Sequence, residues 1–302
     1  VKDSKIIIGS RGSDLALWQA NHIKARLESL GQEVEIKIIK TQGDIIQHLS
    51  FDKMEGKGFF TKELETALRA EEIDLAVHSF KDLETNQPDD LSIAAVSERA
   101  NPADVLLIRK EEVYQEGKWN LKPNAMVGTS SARRKMQLMM HRADLRIDDI
   151  RGNVPTRVNK LREGQFDAIV LAKAGLDRLK LDVSDLHMFE FDPTEFIPAP
   201  AQGVLACQIR TADKGLAAIM THLHNTEVAA VVGIERKVLN LFDGGCQLPL
   251  GAHCVPIPGG VRLHAVMAAS FGQEPSAITI DSDDMEGLPE RAVAALKKKA
   301  VH

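Results

Sequence analysis

The sequence predicts an α/β protein: two α/β domains, followed by a smaller α+β C-terminal domain. Three features carry this reading. A β-loop-α-β pattern opens the chain, a similar pattern returns near residue 125, and after residue 228 the alternation gives way to strands joined by turns. At 302 residues the chain is long for one ordinary domain and fits two or three.

Ile6 to Ile8 is a short apolar strand, followed by Gly9-Ser10-Arg11-Gly12-Ser13. Asp14 opens a helix in which Ala16, Ala20, Ile23, Leu27 and Leu30 recur at helical spacing, and Gly31 stops it. Val34 to Ile39 is the next strand, which suggests a parallel sheet. Phe60 to Ala70 reads as a helix, and Ile73 to His78 as a strand covered on both faces. In the second half, Ala125 to Gly128 is a strand, Ala132 to His141 a helix, Val158 to Arg162 a helix and Asp167 to Leu171 a buried strand. Asp74-Leu75-Ala76-Val77-His78-Ser79 and Asp167-Ala168-Ile169-Val170-Leu171-Ala172 resemble one another, a weak internal echo.

Glu98 to Pro102 and Phe196 to Gly203 read as crossings between the domains. Boundaries are placed at 1–99 with 200–220, 100–199, and 221–302. In the last domain Val228 to Leu241 is helical, and Leu248 to Val255, Val261 to Ala268 and Ala277 to Asp281 are strands. Pro258-Gly259-Gly260 is a hairpin turn, and Pro289 to Ala300 is a closing helix.

Composition narrows function. Hydrophobic residues make up 44% and charged residues 27%, ordinary for a chain with a real core. Aromatics at 4% and a net charge of -5 argue against a nucleic-acid partner. The three cysteines, Cys207, Cys246 and Cys254, form neither a disulfide framework nor a zinc pattern, so no metal is expected. No apolar run suits a bilayer and the first residues do not read as a signal peptide; a cytoplasmic monomer without a membrane partner is expected.

Several polar clusters fall at strand ends. Backbone N–H groups at a helix start favour anions, and Arg11 and Ser13 would reinforce that; equally, Ser13 caps the helix and Arg11 is solvated. In Thr129-Ser130-Ser131-Ala132-Arg133-Arg134, two cations oppose the helix dipole and are costly unless an anion binds; a capped helix with exposed arginines is the alternative. Arg151-Gly152-Asn153, Arg157 and Arg178 add further loop cations. Together they suit a substrate with several carboxylates or phosphates, and no phosphate-binding glycine-lysine loop is present. Asp82 follows a buried strand beside Lys81; it is either a turn cap or a carboxylate able to stabilise a cation and assist a leaving amine. Gly56-Lys57-Gly58-Phe59-Phe60 is either a loop near a ligand or a surface turn. Gly244-Gly245-Cys246 leaves one sulfur accessible, whereas Cys207 and Cys254 sit in strands.

These residues in this order resemble the porphobilinogen deaminase family across nearly the whole chain. The resemblance is carried by Arg11 through Ala20, Gly56-Lys57-Gly58, His78 through Asp82, Gly128 through Arg134, Arg151-Gly152-Asn153, Ala201-Gln202-Gly203 and Gly244-Gly245-Cys246. It implies two periplasmic-binding-protein-like domains plus a third that bears the cofactor cysteine. It further implies a dipyrromethane cofactor in thioether linkage to Cys246, porphobilinogen as substrate, and a head-to-tail joining of pyrroles.

Asp82, with Lys81, matches the catalytic position. Ser13, Lys81, Asp82, Thr129, Ser131, Arg133, Arg134, Arg151 and Gly152 match cofactor contacts. Arg11, Ser13, Lys57, Phe60, Arg151, Arg157, Arg178 and Gln202 match substrate contacts. The chain departs from the family pattern at Phe80, Glu84, Ala132 and Pro200-Ala201, the last replacing a more usual Val-Gly. A non-catalytic two-domain binding protein for acidic small molecules is the rival reading.

Overall fold

The computed structural model describes residues 5–40, 61–242, 248–268 and 274–299. In chain order the elements are β1 (Ile6–Ser10), α1 (Asp14–Ser29), β2 (Val34–Ile38), α2 (Lys62–Arg69), β3 (Leu75–Ser79), β4 (Leu91–Val96), β5 (Asp104–Arg109) and β6 (Met126–Gly128). There follow α3 (Ala132–His141), β7 (Arg146–Asp148), α4 (Val154–Arg162), β8 (Ala168–Ala172), α5 (Lys173–Leu179), β9 (Leu186–Glu190) and β10 (Leu205–Arg210). The chain closes with α6 (Lys214–Met220), α7 (Thr226–Leu241), β11 (Leu250–Ile257), β12 (Gly260–Met267), β13 (Ser276–Ser282) and α8 (Leu288–Lys299). Two compact units result: Val1–Ala100 with Gly203–Ala230, and Asn101–Gln202 with Val231–His302.

The first unit is built on a five-stranded sheet of order β2-β1-β3-β10-β4. Helix α1 forms where expected. Ser13 caps it by accepting from the Ala16 N–H, and Ala20, Ile23 and Leu27 bury the repeating apolar face. Gly31, at φ +80°, ends it through an N–H bond to the Glu28 carbonyl. Strand β3 is covered on both faces: Leu75 and Val77 join the core that contains Ile8 and Leu27, and Ala76 joins the one that contains Leu64, Leu68 and Ile73. The sheet is mixed rather than parallel. β1 runs parallel to β2 and β3, whereas β10 runs antiparallel to β3 and β4. β10 is reached by the return segment rather than by a crossover helix, so nothing obliges it to run parallel.

The second unit repeats the plan. Its five-stranded sheet has the order β7-β6-β8-β5-β9, with β6 parallel to β7 and β8, and β5 antiparallel to β8 and β9. Position for position this is the first sheet again. β3 and β8, the two segments whose sequences echo each other, both take the third place.

The same unit contains the antiparallel sheet β11-β12-β13, with the hairpin turning at Pro258-Gly259 and α8 against β12 and β13. The expected third domain therefore groups with the second five-stranded sheet. Met136 and Ile197 share a core cluster with Val266 and Ala268, and the Ala252 N–H bonds the Pro198 carbonyl at 3.1 Å. The first unit also extends beyond residue 220 to Ala230, because Met220 and Leu223 belong to its core. The other unit boundaries fall at 100/101 and 202/203, inside the two segments read as crossings.

Candidate active site

In the first unit, the carboxyl ends of the parallel strands β1 and β3 lie side by side, the usual place for a ligand in an open α/β sheet. A recess of about 100 Å³ opens there. Arg11, Ser13, Ala16 and Gln19 line it from the β1–α1 side, Thr61 and Leu64 from α2 and its N-cap, and Val77, His78, Ser79 and Asp82 from β3 and the 3-10 turn Phe80–Asp82. Phe80 anchors that turn: its side chain is buried and its N–H bonds the Val204 carbonyl at 2.9 Å. Asp82 is thereby held at the surface end of the strand. Gln19, itself buried, donates to the Ser79 hydroxyl at 2.8 Å and ties α1 to β3 across the recess. The structure thus brings Arg11, Ser13 and Asp82 together, as a shared site requires. It adds Gln19, Ser79 and His78, which pattern reading did not single out as binding groups.

The second unit holds the hydroxyl and arginine cluster. Ser131 caps α3 by accepting from the Arg134 N–H at 3.5 Å, and Thr129 Oγ1 accepts from the Ser131 N–H at 3.3 Å. Arg133 and Arg134 are not solvated. They are 4% and 7% exposed, and they grip the fully buried carboxylate of Asp104 at 2.8 and 2.7 Å. Arg133 also donates to the Ile197 carbonyl and Arg134 to the Val170 carbonyl, while Gln202 donates to Asp104 at 2.9 Å and to the Pro102 carbonyl at 2.7 Å. The anion demanded by two cations at a helix start is therefore supplied, in part, by the chain itself. Burial alone would push the Asp104 carboxyl up, but the guanidinium groups of Arg133 and Arg134 outweigh it and hold the carboxyl well below the usual range. Burial and the neighbouring Arg134 lower the Arg133 guanidinium against the opposing pull of Asp104.

Two positive groups on one carboxylate leave an excess of one positive charge in this cluster, and the Nε atoms of both arginines are buried without a hydrogen-bond partner. A carboxylate-bearing ligand nearby would offset the excess charge, whereas the Nε atoms themselves are too enclosed for a ligand to touch.

Arg157 and Arg178 differ from their expected settings. α4 starts at Val154, with Asn153 as its cap and Pro155 in its first turn, so Arg157 lies inside the helix and its Nε bonds the Gly152 carbonyl at 2.8 Å. Gly152 is at φ +114°, where a side chain would be strained and would strike Thr156. Arg151 lies half-buried beside it, and its carbonyl accepts from Lys160. Arg178 belongs to α5, and burial pushes its guanidinium down to about 10. Cys207 is buried in β10, where desolvation pushes its thiol up to about 12, and Cys254 is buried in β11. Neither suits a nucleophile. Lys57, Phe60 and Cys246 lie outside the described residues. No cluster able to hold a metal ion occurs among the described residues, and no helix there is long and apolar enough to cross a membrane.

Comparison with known proteins bears on this geometry. Residues 6–218 match the family model "Porphobilinogen deaminase, dipyromethane cofactor binding domain". A porphobilinogen deaminase from a Nitratiruptor species is 46% identical over 89% of this chain and 85% of its own length. One from Bacillus cereus (strain B4264) is 42% identical over 98% of this chain and 99% of its own. Among solved structures, a Salmonella typhimurium periplasmic binding protein with arginine specificity is similar at TM-score 0.40 and 12% identity, over 74% of this chain and 96% of that one.

Proposed function

The chain belongs to the porphobilinogen deaminase family, and we propose that the recess at Asp82 is where its deamination step takes place. The chain is a transferase of tetrapyrrole biosynthesis: it deaminates porphobilinogen and joins four of these pyrroles head to tail. It has a dipyrromethane-cofactor-binding domain. Thioether attachment of that cofactor to Cys246 is part of the proposal, as are the residue roles that follow.

Porphobilinogen carries an aminomethyl group, an acetate and a propionate. Arg11 and the α1 N-terminus capped by Ser13 suit one of the acid groups. Asp82 faces the chemistry. When the aminomethyl nitrogen departs as ammonia with the C–N bonding pair, a cationic azafulvenium remains, and a carboxylate at the mouth of the recess stabilises it. The same carboxylate is placed to accept the ring proton lost after coupling. Lys81, next in the turn, adds a cation for an acid side chain.

Arg133 and Arg134 suit an acidic cofactor, since they carry more positive charge than Asp104 cancels. Thr129, Ser131, Arg151 and Gly152 complete that proposed set, and Arg157, Arg178, Gln202, Lys57 and Phe60 the substrate set. When bound, the dipyrromethane supplies the α-carbon at which chain growth begins. The observation that carries the reading is the meeting of Asp82, Arg11 and Ser13 in one recess.

Asp82→Asn tests it. The variant should keep its fold and its cofactor yet lose at least about 100-fold in turnover of porphobilinogen. Near-parental turnover would remove Asp82 from the chemistry.

A further inference from the structure

From the recess-lining His78 runs a polar chain, buried at His78 and Gln208 and half-buried at Gln87 and Glu65, that the proposed mechanism does not use. His78 is 6% exposed and lines the recess, and its Nε2 lies 3.1 Å from Gln208 Oε1. The orientation of every group in this chain follows from one backbone carbonyl. The Glu84 carbonyl accepts from Gln87 Nε2 at 2.7 Å, so Gln87 turns its oxygen to Gln208. Gln208 must then donate, and its Nε2 lies 2.8 Å from Gln87 Oε1 and 3.4 Å from Glu65 Oε1. That leaves the Gln208 oxygen facing His78, and an amide oxygen only accepts. His78 Nε2 therefore carries the hydrogen. Burial pushes the imidazole down to about 4, against the opposing pull of Gln208, so the ring is neutral near pH 7. In a neutral ring whose Nε2 carries the hydrogen, Nδ1 is a lone-pair acceptor. Among the described residues Gln208 is the ring's hydrogen-bond partner, and Nδ1 has none.

We propose that Nδ1 of His78 accepts a hydrogen bond from an N–H of porphobilinogen bound in the Asp82 recess, so that His78 is a substrate-orienting residue with its tautomer locked by Gln208 and Gln87. The proposal rests on the recess being the porphobilinogen site. Its chemistry is specific: a buried neutral acceptor rewards a ligand with an N–H donor and repels one that offers only lone pairs or negative charge. It orients the pyrrole through its nitrogen, while the cations orient it through its acids.

Two substitutions separate this role from a structural one. An asparagine amide can place its oxygen where Nδ1 stood, whereas a glutamine amide reaches the Nε2 position and keeps the bond to Gln208. His78→Gln should raise KM for porphobilinogen about fivefold with kcat little changed, and His78→Asn should recover most of that loss. Thermal stability should fall in the opposite order, with His78→Gln the sturdier variant. Equal KM values in parent and both variants, or a KM order that follows stability, would overturn the proposal. Nitrogen NMR of the parent protein labelled at histidine is independent of either variant folding: an Nε2–H tautomer is expected for His78, and an Nδ1–H tautomer would overturn the assignment. Failure of the recess itself would show separately, as unimpaired turnover in Asp82→Asn.

Discussion

Asp104 shows how one side chain sets the character of a site. It is 0% exposed, it answers two guanidinium groups, and it also accepts from Gln202. Removing such a partner leaves uncompensated buried charge, so Asp104→Ala should cost about 3–5 kcal/mol of stability, measured by urea unfolding. A cost near that of a surface substitution would mean that water reaches the arginines freely. Sequence reading asks for an anion at Arg133 and Arg134 but looks for it in a ligand. Asp104 lies about thirty residues upstream, at the head of an apolar strand, where an isolated aspartate reads as a strand boundary.

His78 gives a second prediction at this scale. Its folded value of about 4 lies below that of an unfolded histidine, so the unfolded chain binds the extra proton between those values. Its contribution to stability is full above about pH 6.5 and is lost as pH falls toward about 4, roughly 3 kcal/mol in all. His78→Gln should flatten that slope in denaturation measured from pH 4 to 7; an unchanged slope would show that the ring is not the proton acceptor.

Among elements, the helices are the most legible. Ser13 and the spacing of Ala20, Ile23 and Leu27 define α1, because a capping hydroxyl and a 3.6-residue apolar period are local signals. The start of α4 lies four residues before the expected one: Pro155 reads as a breaker inside a helix, yet it is favoured in the first turn. The antiparallel course of β10 and β5 is not legible, because strand direction depends on how the chain returns.

The segment before β10 also departs from the family pattern with a physical consequence. Ala201 stands at φ +60°, fully buried, with its N–H on Glu235 at 2.7 Å. The left-handed region disfavours any residue with a Cβ, so Ala201→Gly should stabilise the protein by about 1 kcal/mol. A loss of stability on thermal melting would show that the methyl packs better than the backbone suffers.

For the whole molecule, the doubled architecture is readable only as an echo between two strand sequences. The structure shows what the echo reflects: two sheets with the same strand order and the same sense of each strand. Topology of this kind is invisible to periodicity, because a buried strand looks the same wherever it sits. The grouping of the three-stranded sheet with the second unit is equally hidden. It depends on a core cluster that joins Ile197 and Val266, far apart in the chain, and on the Ala252 N–H bond to the Pro198 carbonyl. The charged residues are legible by type but not by arrangement: in the first unit Arg11, Ser13 and Asp82 line one recess, and in the second Arg133 and Arg134 turn inward onto Asp104.

Mass spectrometry of the intact purified chain, beside its Cys246→Ala variant, decides whether this protein works from a covalent pyrrole primer. An added mass of one dipyrromethane on the parent and none on the variant is the predicted result. A parent without added mass, still unmodified after incubation with porphobilinogen, would contradict it.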